Sequence, residues 1–162
     1  MIALGGRLVV QGPKGKREVA MKDFVLGPFQ SALEFNEIAI EAIIPAPQGV
    51  AFGGYLKLER RVGDFATASV AVSLDMVANK VVRAGIAMAG VGGKTIDATE
   101  AASLLVGQSL TEANIGKVAA AVAAAAQPRS DHRGSSDYKR QIIRTFVSRI
   151  LTSIANSTKK AA

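Results

Sequence analysis

The chain has 162 residues, 49% of them hydrophobic and 20% charged, an ordinary balance for one globular domain with a real core. It contains no cysteine, which excludes disulfides, cysteine-ligated zinc, iron–sulfur ligation and thiol nucleophiles from this polypeptide. Its formal charge of +7 favours anionic partners, yet only 5% of residues are aromatic, no nucleic-acid motif is present and the cations are scattered, so no nucleic-acid role is expected.

The first segment reads as a hairpin, Arg7-Leu-Val-Val-Gln11 and Lys16-Arg-Glu-Val-Ala20, joined by Gly12-Pro-Lys-Gly15. The basic run through Arg17 has the wrong glycine spacing for a phosphate loop and no helix after it. Leu26-Gly-Pro-Phe29 then makes a bend. A strand follows, Glu37-Ile-Ala-Ile-Glu-Ala-Ile-Ile44, closed by Pro45 and Pro47, which lack a donor and restrict their predecessors. This punctuation marks the expected boundary between residues 1–46 and residues 47–158.

Three β segments come next, at 50–58, 67–78 and 81–89. The middle one alternates Ala68, Val70, Val72, Leu74 and Met76 with small or polar residues, the period of a half-buried strand. Asn79-Lys80 is a short polar hinge, so the last two segments are expected to form an antiparallel hairpin. Asp97-Ala-Thr-Glu100 has capping-box spacing for a helix that stops near Gly107. Thr111 can cap a second helix carrying Ile115, Val118 and Val122, stopped by Pro128. The third and longest helix places Tyr138, Ile142, Phe146, Ile150 and Ile154 on one stripe, widened by Ile143, Val147 and Leu151, with Lys139, Arg140, Arg144 and Arg149 away from its centre. A disordered tail is expected at 159–162.

The start of the chain lacks the basic-then-apolar pattern of a secretory leader. The longest apolar run, residues 118–126, is too short and alanine-rich to span a bilayer. A cytoplasmic protein without a membrane span is the expectation.

Three stretches invite a chemical reading. Ala89-Gly-Val-Gly-Gly-Lys-Thr95 ends like a nucleotide-binding P-loop, but that motif needs a glycine five residues before Gly93, where Met88 stands, and a helix directly after the lysine. It reads as a turn. In Ser130-Asp-His-Arg-Gly-Ser-Ser-Asp-Tyr-Lys-Arg140, the single histidine, His132, excludes a histidine-rich metal site, and adjacent Ser130 and Asp131 do not make a triad. Ser135 as N-cap, Asp137 in the first turn and Gly134 before them make a helix entry; Arg133 is the residue that role does not explain. No catalytic residue and no metal site is expected.

The third stretch is Tyr55-Leu-Lys-Leu-Glu-Arg-Arg-Val-Gly-Asp-Phe-Ala66. Alternation puts Tyr55, Lys57 and Glu59 on one strand face and Leu56 and Leu58 on the other, with a turn after them. Two readings stay open from the residues alone: an amphipathic strand with a solvated basic loop, or a face on which Lys57 and the arginine pair meet an anionic or electron-rich ligand.

This stretch, followed by Leu105-Val-Gly-Gln-Ser-Leu-Thr111 and then by residues 130–140, resembles the C-terminal domain of the flavoprotein (medium) subunit of molybdenum hydroxylases, the carbon monoxide dehydrogenase and xanthine dehydrogenase family. Asp23-Phe24, Gly27-Pro-Phe29, Leu33, Glu37-Ile38 and Ile44-Pro45 resemble the tail of the FAD-binding domain that precedes it. The resemblance implies an α+β fold, a three-stranded antiparallel sheet packed on a three-helix bundle, preceded at 1–46 by a β-rich remnant of the FAD-binding domain. It implies a role in enclosing FAD and passing electrons from iron–sulfur clusters to an acceptor, with no activity expected from this chain alone. The implied partners are a molybdopterin-containing large subunit, an iron–sulfur small subunit and a separate FAD-domain polypeptide.

By position, the resemblance places Lys57 near the flavin, Ile38 and Ala39 on a strand that touches FAD, and Arg61, Asp64 and Phe65 in a loop beside the isoalloxazine ring. The family's glycine-rich loops for the FAD pyrophosphate lie in the N-terminal domain and have no counterpart here, so an N-terminally truncated chain with a partial FAD site is expected. The competing expectation is a non-catalytic interaction module that keeps the fold without flavin.

Overall fold

The computed structural model describes residues 1–161, with side chains through Thr158; the tail expected at 159–162 falls on residues whose side chains, and for Ala162 the whole residue, lie outside that description. After a 3-10 turn, Ile2–Leu4, strands β1 (Arg7–Gly12) and β2 (Gly15–Ala20) form the expected hairpin, with Leu8 opposite Val19 and Gly12 opposite Gly15. Gly15 sits at φ 115°, which only glycine adopts without strain. A single helical turn, α1 (Met21–Phe24), leads to the short pair β3 (Val25–Gly27) and β4 (Gln30–Ser31). Strand β5 (Ile38–Ile43) then returns to β1, giving the antiparallel order β2-β1-β5.

The larger unit is an antiparallel sheet of β6 (Val50–Leu58), β7 (Ala68–Val77), β8 (Lys80–Ala89) and β9 (Ile96–Asp97), in the order β6-β7-β8-β9. The α+β class holds, but the sheet has four strands where three were expected. Ile96 and Asp97 pair with Met88 and Ala87, a two-residue match too short to leave a periodic signal. The β7–β8 turn also lies one residue earlier than Asn79-Lys80. Val77 faces Lys80, and Ala78 and Asn79 both have positive φ (47° and 61°), the geometry of a type I′ turn.

Strand β7 is not half-buried as its alternation implied. Val70, Val72, Leu74 and Met76 enter the core under the helices, while the opposite face, with Ser69, Ser73 and Asp75, is buried too. The N-terminal 3-10 turn packs on β7 and β8. A Cβ on Gly85 would stand 2.0 Å from the Ala3 carbonyl oxygen, so glycine permits that approach. Asp75, with no exposed surface, is held there by Arg83, whose Nε and Nη2 donate to its two oxygens at 2.7 and 2.9 Å, and by the Gln48 N–H at 3.0 Å. The Arg83 hydrogen bond foremost, then the Gln48 N–H, keeps this carboxyl below the usual range against the opposing effect of burial.

Over the other face lie α2 (Thr99–Ala102) with a 3-10 turn (Ser103–Leu105), α3 (Glu112–Ala125) and α4 (Ser136–Ala161). The expected capping box does not form. Asp97 belongs to β9, and its Oδ1 accepts from Thr99 N–H at 3.0 Å, so Ala98 takes the cap position, and the helix starts one residue later than expected, at Thr99, and runs only one turn. Thr111 does cap α3, accepting from Asn114 N–H at 3.3 Å. The Leu105–Thr111 stretch is moored to β8, with Gly107 N–H donating to the Val81 carbonyl and Val81 N–H to that of Gln108. In α4, Ile142, Ile143, Val147, Ile150, Leu151 and Ile154 are buried, against α3, β6 and β7, while Tyr138 is half exposed. No helix among the described residues is long and apolar enough to cross a membrane.

Candidate functional site: a clamped loop after an edge strand

Strand β6 forms one edge of the large sheet and pairs with β7 only, Lys57 opposite Ser69 and Leu58 opposite Ala68. Its alternation works as read. Leu56 and Leu58 pack against the core, and Tyr55, Lys57 and Glu59 share the other face. The Lys57 ammonium lies 2.5 Å from Glu59 Oε2, and both side chains are about one-quarter exposed, at 28% and 26%. Lys57 is therefore a cation whose field Glu59 partly offsets, with Tyr55 exposed beside it.

The chain leaves β6 through residues 59–67 and is closed where Thr67 N–H donates to the Leu58 carbonyl at 2.8 Å. Within the loop, Asp64 N–H donates to Arg61 O at 3.0 Å, and Gly63 at φ 85° supplies the left-handed residue this turn needs. Asp64 Oδ1 accepts from Phe65 N–H at 2.7 Å. Arg133 then reaches across the fold: its Nη1 donates to the Phe65 carbonyl at 2.5 Å and its Nη2 to Asp64 Oδ1 at 3.1 Å. The Phe65 N–H, then the Arg133 charge and hydrogen bond, and last Arg60, hold the Asp64 carboxyl below the usual range, with partial burial opposing them. Held this way, the loop turns Val62 and Phe65 out to solvent, at 99% and 84% exposure.

Arg133 is aimed by the stretch 130–140. Asp131 and Gly134 exchange backbone hydrogen bonds at 3.1 Å, and Asp131 Oδ1 accepts from Arg133 N–H at 2.8 Å. Ser130 Oγ accepts from Ser136 N–H, and Ser135 Oγ caps α4 through Tyr138 N–H at 3.2 Å, as expected for the N-cap. Gly134, at φ 147°, adopts a backbone conformation that side-chain-bearing residues rarely take, and a Cβ there would stand 2.7 Å from the Tyr138 ring, which would have to shift. Lys139, which lies away from the centre of the apolar stripe as expected, is nevertheless buried, donating to Asp131 Oδ2 at 2.7 Å and to the Arg129 carbonyl at 3.0 Å. Helical periodicity put it off the stripe, but the loop before α4 folds over that side. The Lys139 hydrogen bond, followed by the Arg133 N–H, keeps the Asp131 carboxyl below its ordinary value.

The glycine turn at 89–95 supports the same loop from behind. It leads into β9, not a helix, so the arrangement of a P-loop is absent from it. Gly90, at φ 78°, lets the turn pass so close to the end of the loop that a Cβ would stand 2.7 Å from the Ala66 carbonyl. A polar cavity of about 590 Å³ opens between this turn, Gln127 and Lys139.

Arg61, Asp64 and Phe65 thus share one braced loop directly after the strand that carries Lys57. Ile38 and Ala39 lie in the other sheet, on β5, opposite Gln11 and Val10, and both are exposed. No hydrogen bond or ion pair among the described residues joins them to the loop. Arg133 is the neighbour of the loop that sequence reasoning left unassigned; its signal was a cation in a helix-entry loop that needed none. No group of three or more potential metal ligands occurs among the described residues. A strand that carries a cation beside the exposed Tyr55 and runs into a hydrogen-bonded loop with an outward Phe65 can form one side of a pocket for a planar, electron-accepting ring, and no glycine-rich phosphate cradle adjoins it among the described residues.

Comparison with known proteins bears on this geometry. The family model described as the CO dehydrogenase flavoprotein C-terminal domain matches residues 54–154, a span that contains Lys57, the braced loop and Arg133. The chain is 37% identical over 139 residues to the carbon monoxide dehydrogenase medium chain of Afipia carboxidovorans, covering 86% of this chain and 48% of that one. It is 30% identical over 155 residues to the glyceraldehyde dehydrogenase medium chain of Sulfolobus acidocaldarius, covering 96% and 55%. A carbon monoxide dehydrogenase structure from Hydrogenophaga pseudoflava, which lacks the Mo-pyranopterin moiety of its molybdenum cofactor, superimposes with a TM-score of 0.86 at 34% identity, over 93% of this chain and 53% of that one. The chain spans about half the length of the curated relatives it matches.

Proposed function

Because the chain belongs to the CO dehydrogenase flavoprotein C-terminal domain family, the flavoprotein subunits of molybdenum hydroxylases, we propose that it encloses one side of an FAD within such an enzyme. The carrying observation is that the matched span holds Lys57 and a loop braced by Arg133 over 68 positions of sequence. FAD, when bound, supplies the redox chemistry that passes electrons from iron–sulfur clusters to an acceptor. The chain's own residues would position and tune it. The Lys57 ammonium, softened by Glu59, favours negative charge on the ring beside it, and the loop at 61–65 limits access of the acceptor. Ile38 and Ala39 would touch the flavin by apolar and backbone contact. The pyrophosphate would be gripped by another polypeptide segment, since these residues fit only the ring.

The same proposal gives the assembly its other members: an iron–sulfur small subunit and a molybdopterin-containing large subunit, in the cytoplasm, with residues 1–46 completing an FAD-binding domain and residues 47–158 forming the C-terminal domain. Co-expression with the large and small subunits and the unmatched half of the Afipia carboxidovorans medium chain tests it. A complex that copurifies with stoichiometric flavin supports the proposal. A complex without flavin, or no association, contradicts it.

A further inference from the structure

We infer that Lys139 is a positioning residue for the loop after β6: by occupying Asp131, it decides that Arg133 pairs across the fold with Asp64 and Phe65 and not with the acid two residues before it. The inference deepens the functional reading above and rests on it only for what the loop does to an electron acceptor.

Arg133 has two carboxylates within its choice. Asp131 is the nearer in sequence, is 42% exposed, and already accepts the Arg133 N–H through Oδ1 at 2.8 Å. A guanidinium on a flexible stem two residues away has a short path back to it, and such charge-assisted pairs are strong. The observed partner is instead Asp64, 69 positions away, with the Phe65 carbonyl beside it. A cross-fold tie orders more of the chain than a local one does, so the longer tie needs a cause.

Lys139 supplies that cause. Its side chain is 3% exposed, and an ammonium so enclosed is costly unless an anion answers it. Asp131 is its ion-pair partner, with Oδ2 2.7 Å from Nζ, and the Arg129 carbonyl accepts a second N–H at 3.0 Å. Releasing Asp131 would strand a buried charge. One oxygen of Asp131 is thus held by Lys139 and the other by the Arg133 N–H, and its charge is already neutralised. Asp64 is the less committed acid, since its other cation, Arg60, stands 4.0 Å off. The enclosed lysine takes the near acid, and Arg133, at 19% exposure, takes the far one and closes the loop.

Hydrogen–deuterium exchange on residues 1–162 alone tests this without flavin or partner subunits, so its outcome is separate from that of the copurification above. Lys139→Gln keeps a donor for the Arg129 carbonyl but not the charge. Arg133 should then turn to Asp131, and exchange at Asp64, Phe65 and Thr67 should quicken by about tenfold. Adding Asp131→Asn removes the competing charge while its side-chain oxygen still accepts the Arg133 N–H. Protection should return to within about twofold of the unaltered chain. Far-ultraviolet circular dichroism checks each fold, and Lys139→Met, alone and with Asp131→Asn, carries the same two expectations should the glutamine variant not fold. Protection unchanged in the single variant would show that Arg133 does not need Lys139. Protection lost in the single variant and not regained in the double would show that Lys139 holds the loop by packing and not by deciding the partner of Arg133. Either result overturns the inference.

Discussion

Arg133 and Asp64 give the loop after β6 its fixed shape, and they do so as an ion pair in which neither partner is fully exposed, at 19% and 23%. The Arg133→Met variant removes both hydrogen bonds and leaves the Phe65 carbonyl without its donor. Amide exchange at Gly63, Asp64, Phe65 and Thr67 should then quicken by about tenfold, with the helices unaffected. Protection of these amides equal to that of the unaltered chain would remove Arg133 from the positioning role. The carboxyls add a pH dependence of defined sign. Those of Asp64, Asp75 and Asp131 lie below their ordinary values in the folded protein, and the Arg17 hydrogen bond lowers Glu37 to about 2. A depressed carboxyl contributes stability that is present above its unfolded value and is lost as pH falls through the folded one. The thermal midpoint should therefore hold down to about pH 4, the ordinary carboxylate range, and decline from there toward pH 2. A decline beginning above pH 5 would show that other groups dominate.

Among elements, β7 carries the account of stability, because it is buried on both faces and one of them is polar. Asp75 has no exposed surface, and Arg83, one-quarter exposed, answers it with two hydrogen bonds while also donating to Ser73 Oγ. Arg83→Met leaves that carboxylate buried with the Gln48 N–H as its remaining donor, which should destabilise the chain by about 3 kcal/mol, the lower end for a broken buried pair because Arg83 is partly solvated. Urea unfolding checks this, and a loss under about 1 kcal/mol would mean that the network contributes little. The strands themselves were legible in position, since β1, β2, β5, β6, β7 and β8 lie where segments and breaks in the sequence put them, although β7 is buried on both faces and turns into β8 one residue early. The elements misread are those decided by neighbours. Ile96 and Asp97 become β9 only because β8 offers them an edge. Asp97 then serves an early turn, not a capping box, and Lys139 is buried because the 130–135 loop folds over α4. Periodicity describes a helix or strand in isolation and carries no information about which loop will cover its polar side.

For the whole molecule, the α+β class and the order of the longer elements were readable from the sequence, while the short β3–β4 pair, β9 and the braced loop were not. The tie from Arg133 to Phe65 joins positions 68 apart, and no local pattern encodes such a pairing. What brought the two stretches together before the structure did was their joint resemblance to one family, which the match over residues 54–154 bears out. The structure adds the mechanical reason for their co-occurrence: one stretch is the loop and the other is its clamp. It also tempers Lys57, whose ammonium is shared with Glu59. The central claim is that Lys57 and the clamped loop face the ring of a bound flavin, and the flavin reduction potential of the reconstituted complex tests it most directly. With Lys57→Met the potential should fall by about 30 mV or more, a tenfold shift in a two-electron equilibrium. A potential unchanged by the substitution, in a complex that still binds flavin, would place Lys57 away from the ring and contradict the account.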